Sequence, residues 1–139
     1  MRQALLALSL LSVLVCMFLV EPVWDSPPPM PEVALAPQFH RVPLVGGVSG
    51  DVVVTAVIGK DGTIVKATVE SGHIALHEDA LEAAKGWKFA ASAAGVEVRL
   101  VFSFHSLPAS SGEGDAVLFY PPSRVEVRQK RPQPPDPYP

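Results

Sequence analysis

The chain of 139 residues has 11 lysine and arginine residues against 14 aspartate and glutamate residues, a net charge of −3 at pH 7. This balance argues against a nucleic-acid-binding protein, because such domains usually gather basic residues on one face. The single cysteine, Cys16, excludes an intramolecular disulfide bond. The 15 prolines cluster toward the two ends, which leaves room for one small domain between them.

The N-terminal segment is apolar, and residues 4–20 include no acidic, basic or histidine residue. As a helix this stretch would be roughly 26 Å long, close to the roughly 30 Å hydrocarbon layer of a membrane. We predict that residues 1–21 form a single-pass anchor with the N-terminus in the cytoplasm, because Arg2 precedes the segment and acidic residues follow it. A cleaved signal peptide is the first alternative and lipidation at Cys16 the second, although large residues at the relevant positions disfavour both.

Residues 22–47 are rich in proline. Since proline lacks a backbone N–H and fixes its own φ, this stretch cannot form a continuous helix or a central strand. We predict that it is a spacer.

A β-hairpin is predicted next. Residues 52–58 are rich in β-branched side chains, and residues 63–70 form a second strand with Val65, Ala67 and Val69 on one face. The pair Asp61-Gly62 between the two strands is typical of a hairpin turn.

The stretch from Ser71 to Phe89 is predicted to be helical. Its apolar residues recur at spacings of mainly three and four, which places them on one side of a helix. Gly86 is expected to end the helix in the left-handed conformation, after which Trp87 and Phe89 pack on the core. The inward residues are Ile74, Leu76, Ala80, Leu81 and Ala84, and the outward ones are Glu78, Asp79, Glu82 and Lys85.

The last strand of the domain is predicted at residues 96–104, where apolar and polar side chains alternate. The order strand, strand, helix, strand predicts an α+β fold over residues 48–106, with one helix on one face of a small antiparallel sheet. Residues 107–139 are predicted to be a polar, proline-rich tail with short strands at 116–120 and 124–128. In the last domain strand Val96, Val98, Leu100, Phe102 and Phe104 are expected to face inward, and Glu97, Arg99 and Ser103 outward.

No catalytic or metal-binding pattern stands out. His73 and His77 are four residues apart, a spacing at which two imidazoles can share a zinc ion, but no third ligand accompanies them. Catalysis would need a nucleophile with a nearby base, or paired carboxylates in a cleft, and the sequence shows neither pattern. We therefore expect no metal, no cofactor and no enzymatic activity.

The combination GDVVVTAVIGKDGTIVKATVESGHIALHEDALEAAKGWKF, followed by the alternating strand, resembles the C-terminal domain of the TonB family. The apolar segment, the proline-rich spacer and the terminal domain follow one another in that family's order. The residues that carry the resemblance are Gly50, Asp61, Gly62, Ser71, Gly72, Leu76, Ala80, Leu81, Trp87 and Phe89.

The resemblance implies a periplasmic domain on an inner-membrane anchor that binds a short peptide of an outer-membrane transporter. In the family this peptide adds as a strand beside the last strand of the sheet, and motor proteins of the ExbB and ExbD type supply energy. An exposed strand edge suits such addition, because main-chain hydrogen bonds give affinity and alternate side chains give selectivity. The candidate residues are Val96, Glu97, Val98, Arg99, Leu100, Val101 and Phe102.

An envelope scaffold without energy coupling is the alternative, because the apolar segment contains no titrating group of the kind expected in a coupled anchor. In that case the tail strand at residues 116–120 is expected to occupy the edge. A domain of about sixty residues is marginally stable alone, so a homodimer is also considered.

Overall fold

A computed structural model describes residues 27–137, and the predicted membrane anchor lies outside these residues. Within them, no helix has the length and apolar character needed to cross a membrane. The strands are β1 (Pro31–Val33), β2 (Gly50–Ile58), β3 (Ile64–Ser71), β4 (Lys88–Phe89), β5 (Glu97–Leu107), β6 (Ala116–Tyr120) and β7 (Arg124–Lys130). The helices are α1 (Arg41–Val45) and α2 (His77–Lys85), with 3₁₀ turns at Ile74–Leu76 and Ala91–Ala93.

The central sheet has five strands in the order β3-β2-β5-β7-β6. All neighbours are antiparallel except β5 and β7, which are parallel. Strands β1 and β4 form a separate antiparallel pair, and α2 packs mainly on β2 and β3. The predicted α+β fold with one helix on the sheet is confirmed, and the sheet is wider than predicted because β6 and β7 join it.

Asp61 and Gly62 shape the turn between β2 and β3. The Asp61 carboxylate accepts hydrogen bonds from the hydroxyl and the N–H of Thr63, at 2.6 and 3.2 Å, and these bonds lower the pKa of Asp61. Gly62 has φ +84°, and a Cβ there would lie 1.8 Å from the carbonyl oxygen of Phe89. The Phe89 N–H in turn donates to the Gly62 carbonyl at 2.8 Å. The turn therefore requires glycine and also holds β4 in place.

The predicted face of β3 is interrupted by a bulge. Val57 pairs with Lys66, but Ile58 pairs with Ile64, so Val65 has no opposite residue. Val65 is 67% exposed as a result. The prediction that it shares one face with Ala67 and Val69 is wrong, because the extra residue in a bulge changes the alternation of side chains.

The helix buries a different set of residues from the predicted one. Leu76, Ala80 and Ala84 are buried as expected, and Leu81 is half-buried. Ile74, however, is 79% exposed, and Asp79 is only 2% exposed. The 3₁₀ turn that precedes α2 has three residues per turn rather than 3.6, so a single helical period does not describe the whole stretch.

Gly86 follows the last residue of α2, but it does not adopt the left-handed conformation, because its φ is −86°. A Cβ at this position would lie 2.2 Å from Cδ1 of Leu35. Glycine is therefore favoured here because it leaves room for Leu35, and the predicted conformational reason is wrong.

Much of the predicted spacer packs against the domain. Phe39 and Leu44 are buried, and the ring of Phe39 makes an edge contact with Phe104 at 5.0 Å between centroids. Trp87 and Phe89 lie in the same core as predicted, and Trp87 stands edge-on to Phe102 at 5.9 Å. The folded unit thus begins before residue 48, because apolar side chains between the prolines have a core to enter.

Candidate functional site: the open strand edges

Strand β5 is not the edge of the sheet along its whole length. It pairs with β2 from Glu97 to Phe104 and with β7 from Val101 to Leu107. The prediction of an edge strand is therefore wrong for Val101 and Phe102, whose partners in β7 are Arg124 and Val125. Residues 97–100 have β2 on one side and no described strand on the other.

In residues 97–100 of β5, the backbone N–H and C=O groups of every second residue point away from β2. The N–H of Val101 donates to the Ser123 carbonyl at 2.9 Å, so it points away from β2. Backbone groups two residues apart on a strand point to the same side. The N–H and C=O groups of Glu97 and Arg99 consequently face the side on which no described strand lies.

On the exposed face of the sheet beside residues 97–100, the side chains of Thr55, Glu70 and Arg99 are joined by hydrogen bonds. Arg99 Nε lies 3.0 Å from Glu70 Oε2, and the Thr55 hydroxyl donates to the other carboxylate oxygen of Glu70. The Thr55 hydrogen bond and the Arg99 charge lower the pKa of Glu70. These groups keep the face polar, while Val98 and Leu100 are buried on the opposite side.

Strand β7 is an integral part of the sheet. Val125 and Val127 are 2% and 5% exposed. On its other face Glu126 accepts a hydrogen bond of 2.7 Å from Nε of Arg128, which lowers the pKa of Glu126, and His105 Nε2 lies 3.6 Å from the same carboxylate oxygen. Removing β7 from the sheet would expose two valines and break this network.

Ser103 is predicted to face outward, but it is fully buried. Its neighbours across the two adjacent strands are Asp51 and Glu126. Its hydroxyl has no hydrogen-bond partner in the described part of the chain. A buried hydroxyl without a partner costs free energy.

Strand β6 is the last strand on this side of the sheet, and no described strand pairs with its outer side. It pairs with β7 and not with β5, whose edge the alternative hypothesis expected it to occupy, and its four apolar residues after Ala116 are exposed. The exposed fractions are 59% for Val117, 37% for Leu118, 43% for Phe119 and 46% for Tyr120.

The histidines considered as metal ligands bind backbone groups instead. His73 Nδ1 accepts from the Ala75 N–H at 3.2 Å, and His77 Nε2 lies 2.9 Å from the Gly72 carbonyl. No cluster of three metal-ligating side chains occurs within residues 27–137. His40 was not singled out by any sequence pattern. Its imidazole Nδ1 contacts the buried carboxylate of Asp79, and its backbone N–H donates to the same carboxylate at 3.2 Å.

The core of β2, β3, α2 and β5 defines a small α+β domain that presents strand edges. Residues 45–105 match the family model described as "Gram-negative bacterial TonB protein C-terminal". This part of the chain is therefore similar to the TonB C-terminal domain, a transport-associated domain. The match begins in α1 and ends in β5, so β6 and β7 lie beyond it. No curated protein and no solved structure matches the chain significantly.

Proposed function

We propose that the domain binds an extended peptide of an outer-membrane transporter, which adds as a strand beside residues 97–100 of β5. The observation that carries the proposal is the outward direction of the Glu97 and Arg99 backbone groups beside an open position in the sheet. Unpaired N–H and C=O groups on a strand edge are a template for another chain. The match of residues 45–105 to the family model of the TonB C-terminal domain supports this choice of partner.

The proposed peptide contact covers residues 97–100 of β5, whereas the sequence predicted a contact along residues 96–102. Val101 and Phe102 already pair with β7, and displacing that strand would expose Val125 and Val127. The proposal therefore limits the main-chain contacts of the peptide to residues 97–100. Selectivity then comes from the exposed face, where Arg99 and Glu70 are paired.

In the cell, we propose that residues 1–21 anchor the chain in the inner membrane and that the domain lies in the periplasm. Energy coupling would then require motor proteins of the ExbB and ExbD type. Co-purification of such proteins with the full chain from membranes supports a transducer. Recovery of the chain without them supports the alternative, an envelope scaffold that uses the same fold without energy coupling.

The binding proposal is tested by substituting Glu97 with proline in the full chain. Proline removes the outward N–H at this position, and the first residue of a strand tolerates proline because the bond to β2 is made by neighbouring residues. Glu97→Ala is the matched control, since it removes the same side chain and retains the N–H. The measurement is the affinity for a transporter peptide, with the backbone amide signals of residues 96–102 followed by NMR.

We expect Glu97→Pro to weaken binding by about tenfold, the effect of one lost hydrogen bond of about 1 kcal/mol together with the steric effect of the ring. Glu97→Ala should bind nearly as the unmodified chain does, and the amide shifts should be confined to residues 96–100. Equal affinity of all three chains, or saturating peptide that moves none of these signals, would rule out strand addition at this site.

A further inference from the structure

The C-terminal segment of the described chain, residues 131–137, is conformationally restricted throughout. Its sequence is RPQPPDP, and each of its residues is a proline or directly precedes one. Proline fixes its own φ, and a residue before proline is confined mainly to extended conformations. Such a sequence favours a polyproline II helix, which has no internal hydrogen bonds. In agreement, residues 131–136 belong to no helix or strand of the described chain.

The polyproline II period separates the polar from the apolar residues of this segment. The helix has three residues per turn, so side chains three residues apart share one edge. Two of the three edges carry proline rings, and the third carries only polar side chains. The segment therefore has an apolar side that a groove can hold and a polar side that suits solvent. The first edge has Arg131, Pro134 and Pro137, the second has Pro132 and Pro135, and the third has Gln133 and Asp136.

The start of the segment is fixed to the domain. The Arg131 N–H donates to the Leu107 carbonyl at 2.9 Å, and the Lys130 N–H donates to the Asp115 carboxylate at 2.8 Å. Residues 132–137 are exposed, and three of their prolines line an open groove of about 510 Å³. The proline rings are therefore accessible to a partner and are presented from a fixed point.

Arg131 places a positive charge at the first turn of the segment. The arginines of β5 and β7 each lie within ion-pair distance of a carboxylate, whereas Arg131 forms no ion pair within residues 27–137. Its guanidinium lies beside the backbone of Gly47, where a Cβ would be 2.9 Å from Nη1. Arginine binds carboxylates through two parallel hydrogen bonds. An acidic group of a partner would supply the carboxylate that the described chain does not provide.

We propose that residues 131–137 are a docking segment for a partner protein domain that recognises a polyproline II helix. The partner presents a groove lined by aromatic side chains, which holds the two proline edges. An acidic pocket at one end of the groove binds Arg131, and the edge with Gln133 and Asp136 faces solvent. Binding costs little conformational entropy, because the prolines hold the bound conformation in advance.

Two observations favour a partner of this kind over a role of the segment as a plain spacer. A spacer needs only stiffness, and it does not require the polar residues to share one edge. The charge of Arg131 is complementary to an acidic pocket, and such complementarity gives specificity. The inference goes beyond peptide binding at β5, because residues 131–137 lie outside the family match at residues 45–105.

Titration with a domain of this class tests the proposal. The probe is an isolated SH3 domain, which has an aromatic-lined groove for proline-rich segments, chosen to have an acidic pocket beside that groove. It is added to the full chain in detergent, and the affinity is measured by calorimetry. Pro134→Ala removes a ring from the first edge. Gln133→Ala is the matched control, since it changes the neighbouring residue on the polar edge.

We expect Pro134→Ala to weaken binding by tenfold or more, because a ring buried in the groove is lost. Gln133→Ala should bind as the unmodified chain does. Equal affinities of the two variants, or no binding of the unmodified chain, would refute the proposal. Thermal unfolding should be the same for both variants, since the segment is exposed. A lower unfolding temperature for Pro134→Ala would show that the prolines pack on their own domain, which would also refute docking.

Arg131→Gln tests the acidic pocket. We expect the affinity for the same SH3 domain to fall by tenfold or more, because a charge-assisted hydrogen bond is lost. The affinity should also depend less on salt concentration, since salt screens the attraction between opposite charges. If Arg131 acts only by packing beside Gly47, the affinity and its salt dependence will not change, and this result would exclude the acidic pocket.

Discussion

The indole N–H of Trp87 donates a hydrogen bond to the backbone carbonyl of Leu35, with 2.9 Å between the nitrogen and the oxygen. The bond joins the second residue after α2 to the proline-rich segment that the sequence assigns to a spacer. Leu35 also contacts the position of Gly86, where a Cβ would be 2.2 Å from its Cδ1. Two independent contacts therefore hold the segment on the domain.

Replacing Trp87 with phenylalanine should lower the free energy of unfolding by about 1–2 kcal/mol, because the Leu35 carbonyl loses its donor while the aromatic contact with Phe102 remains. Chemical denaturation measures this change. Limited proteolysis should also show faster cleavage within residues 31–45. Unchanged stability and unchanged cleavage would mean that the hydrogen bond does not hold the segment.

Two glycines with nearly the same φ should respond very differently to alanine. Gly62 and Gly95 have φ values of +84° and +83°, but only Gly62 has an obstructing atom, the Phe89 carbonyl oxygen at 1.8 Å from a Cβ. We expect Gly95→Ala to cost about 1 kcal/mol from the left-handed conformation alone. Gly62→Ala should cost several times more, since the hairpin must separate from β4. Thermal unfolding of the two variants side by side checks this, and equal losses would contradict the structure.

Removing the Ser103 hydroxyl should not destabilise the chain. The group is buried and has no described partner, so Ser103→Ala is expected to be neutral or to stabilise by up to about 1 kcal/mol. Ser49→Ala is the comparison, because the Ser49 hydroxyl accepts a hydrogen bond of 2.9 Å from the Ser106 N–H, and it should lose about 1 kcal/mol. A substantial loss from Ser103→Ala would indicate a partner, such as a water molecule, for the hydroxyl.

Acid should weaken the attachment of β7. The hydrogen bond from Arg128 holds the pKa of Glu126 below its ordinary value of 4.5. The carboxylate therefore stabilises the folded state at pH values above 4.5, and this contribution is lost as the pH falls through the lowered pKa. Denaturation of the unmodified chain and of Glu126→Gln between neutral pH and pH 3 tests this. The stability difference between the two should shrink on acidification, and a constant difference would exclude the effect.

The sequence predicts those parts of the fold that depend on local chemistry. The Asp61-Gly62 turn, the alternation of Val98, Leu100 and Phe102, and the burial of Trp87 all follow from patterns within a few residues. These features also carry the family resemblance, which the match at residues 45–105 confirms.

The rest depends on contacts between distant segments, which local patterns do not contain. The strand at residues 116–120 and the one that begins at Arg124 are both predicted, but nothing in their own residues shows that β7 lies beside β5. The alternation of Val125 and Val127 is a signal for a buried strand, and it could have indicated that the tail enters the sheet. The burial of Asp79 depends likewise on His40, 39 residues earlier in the chain.

The position of the β6–β7 turn limits the length of any strand that adds to β5. Residues 97–100 span about 13 Å at roughly 3.3 Å per residue, and Ser123 lies at the end of this opening, bound to Val101. A peptide can extend along β5 only as far as this turn and must then leave the sheet. If a peptide adds to β5 as proposed, this turn would fix where the bound peptide ends, and shortening or lengthening residues 121–123 should change which register of the peptide binds best.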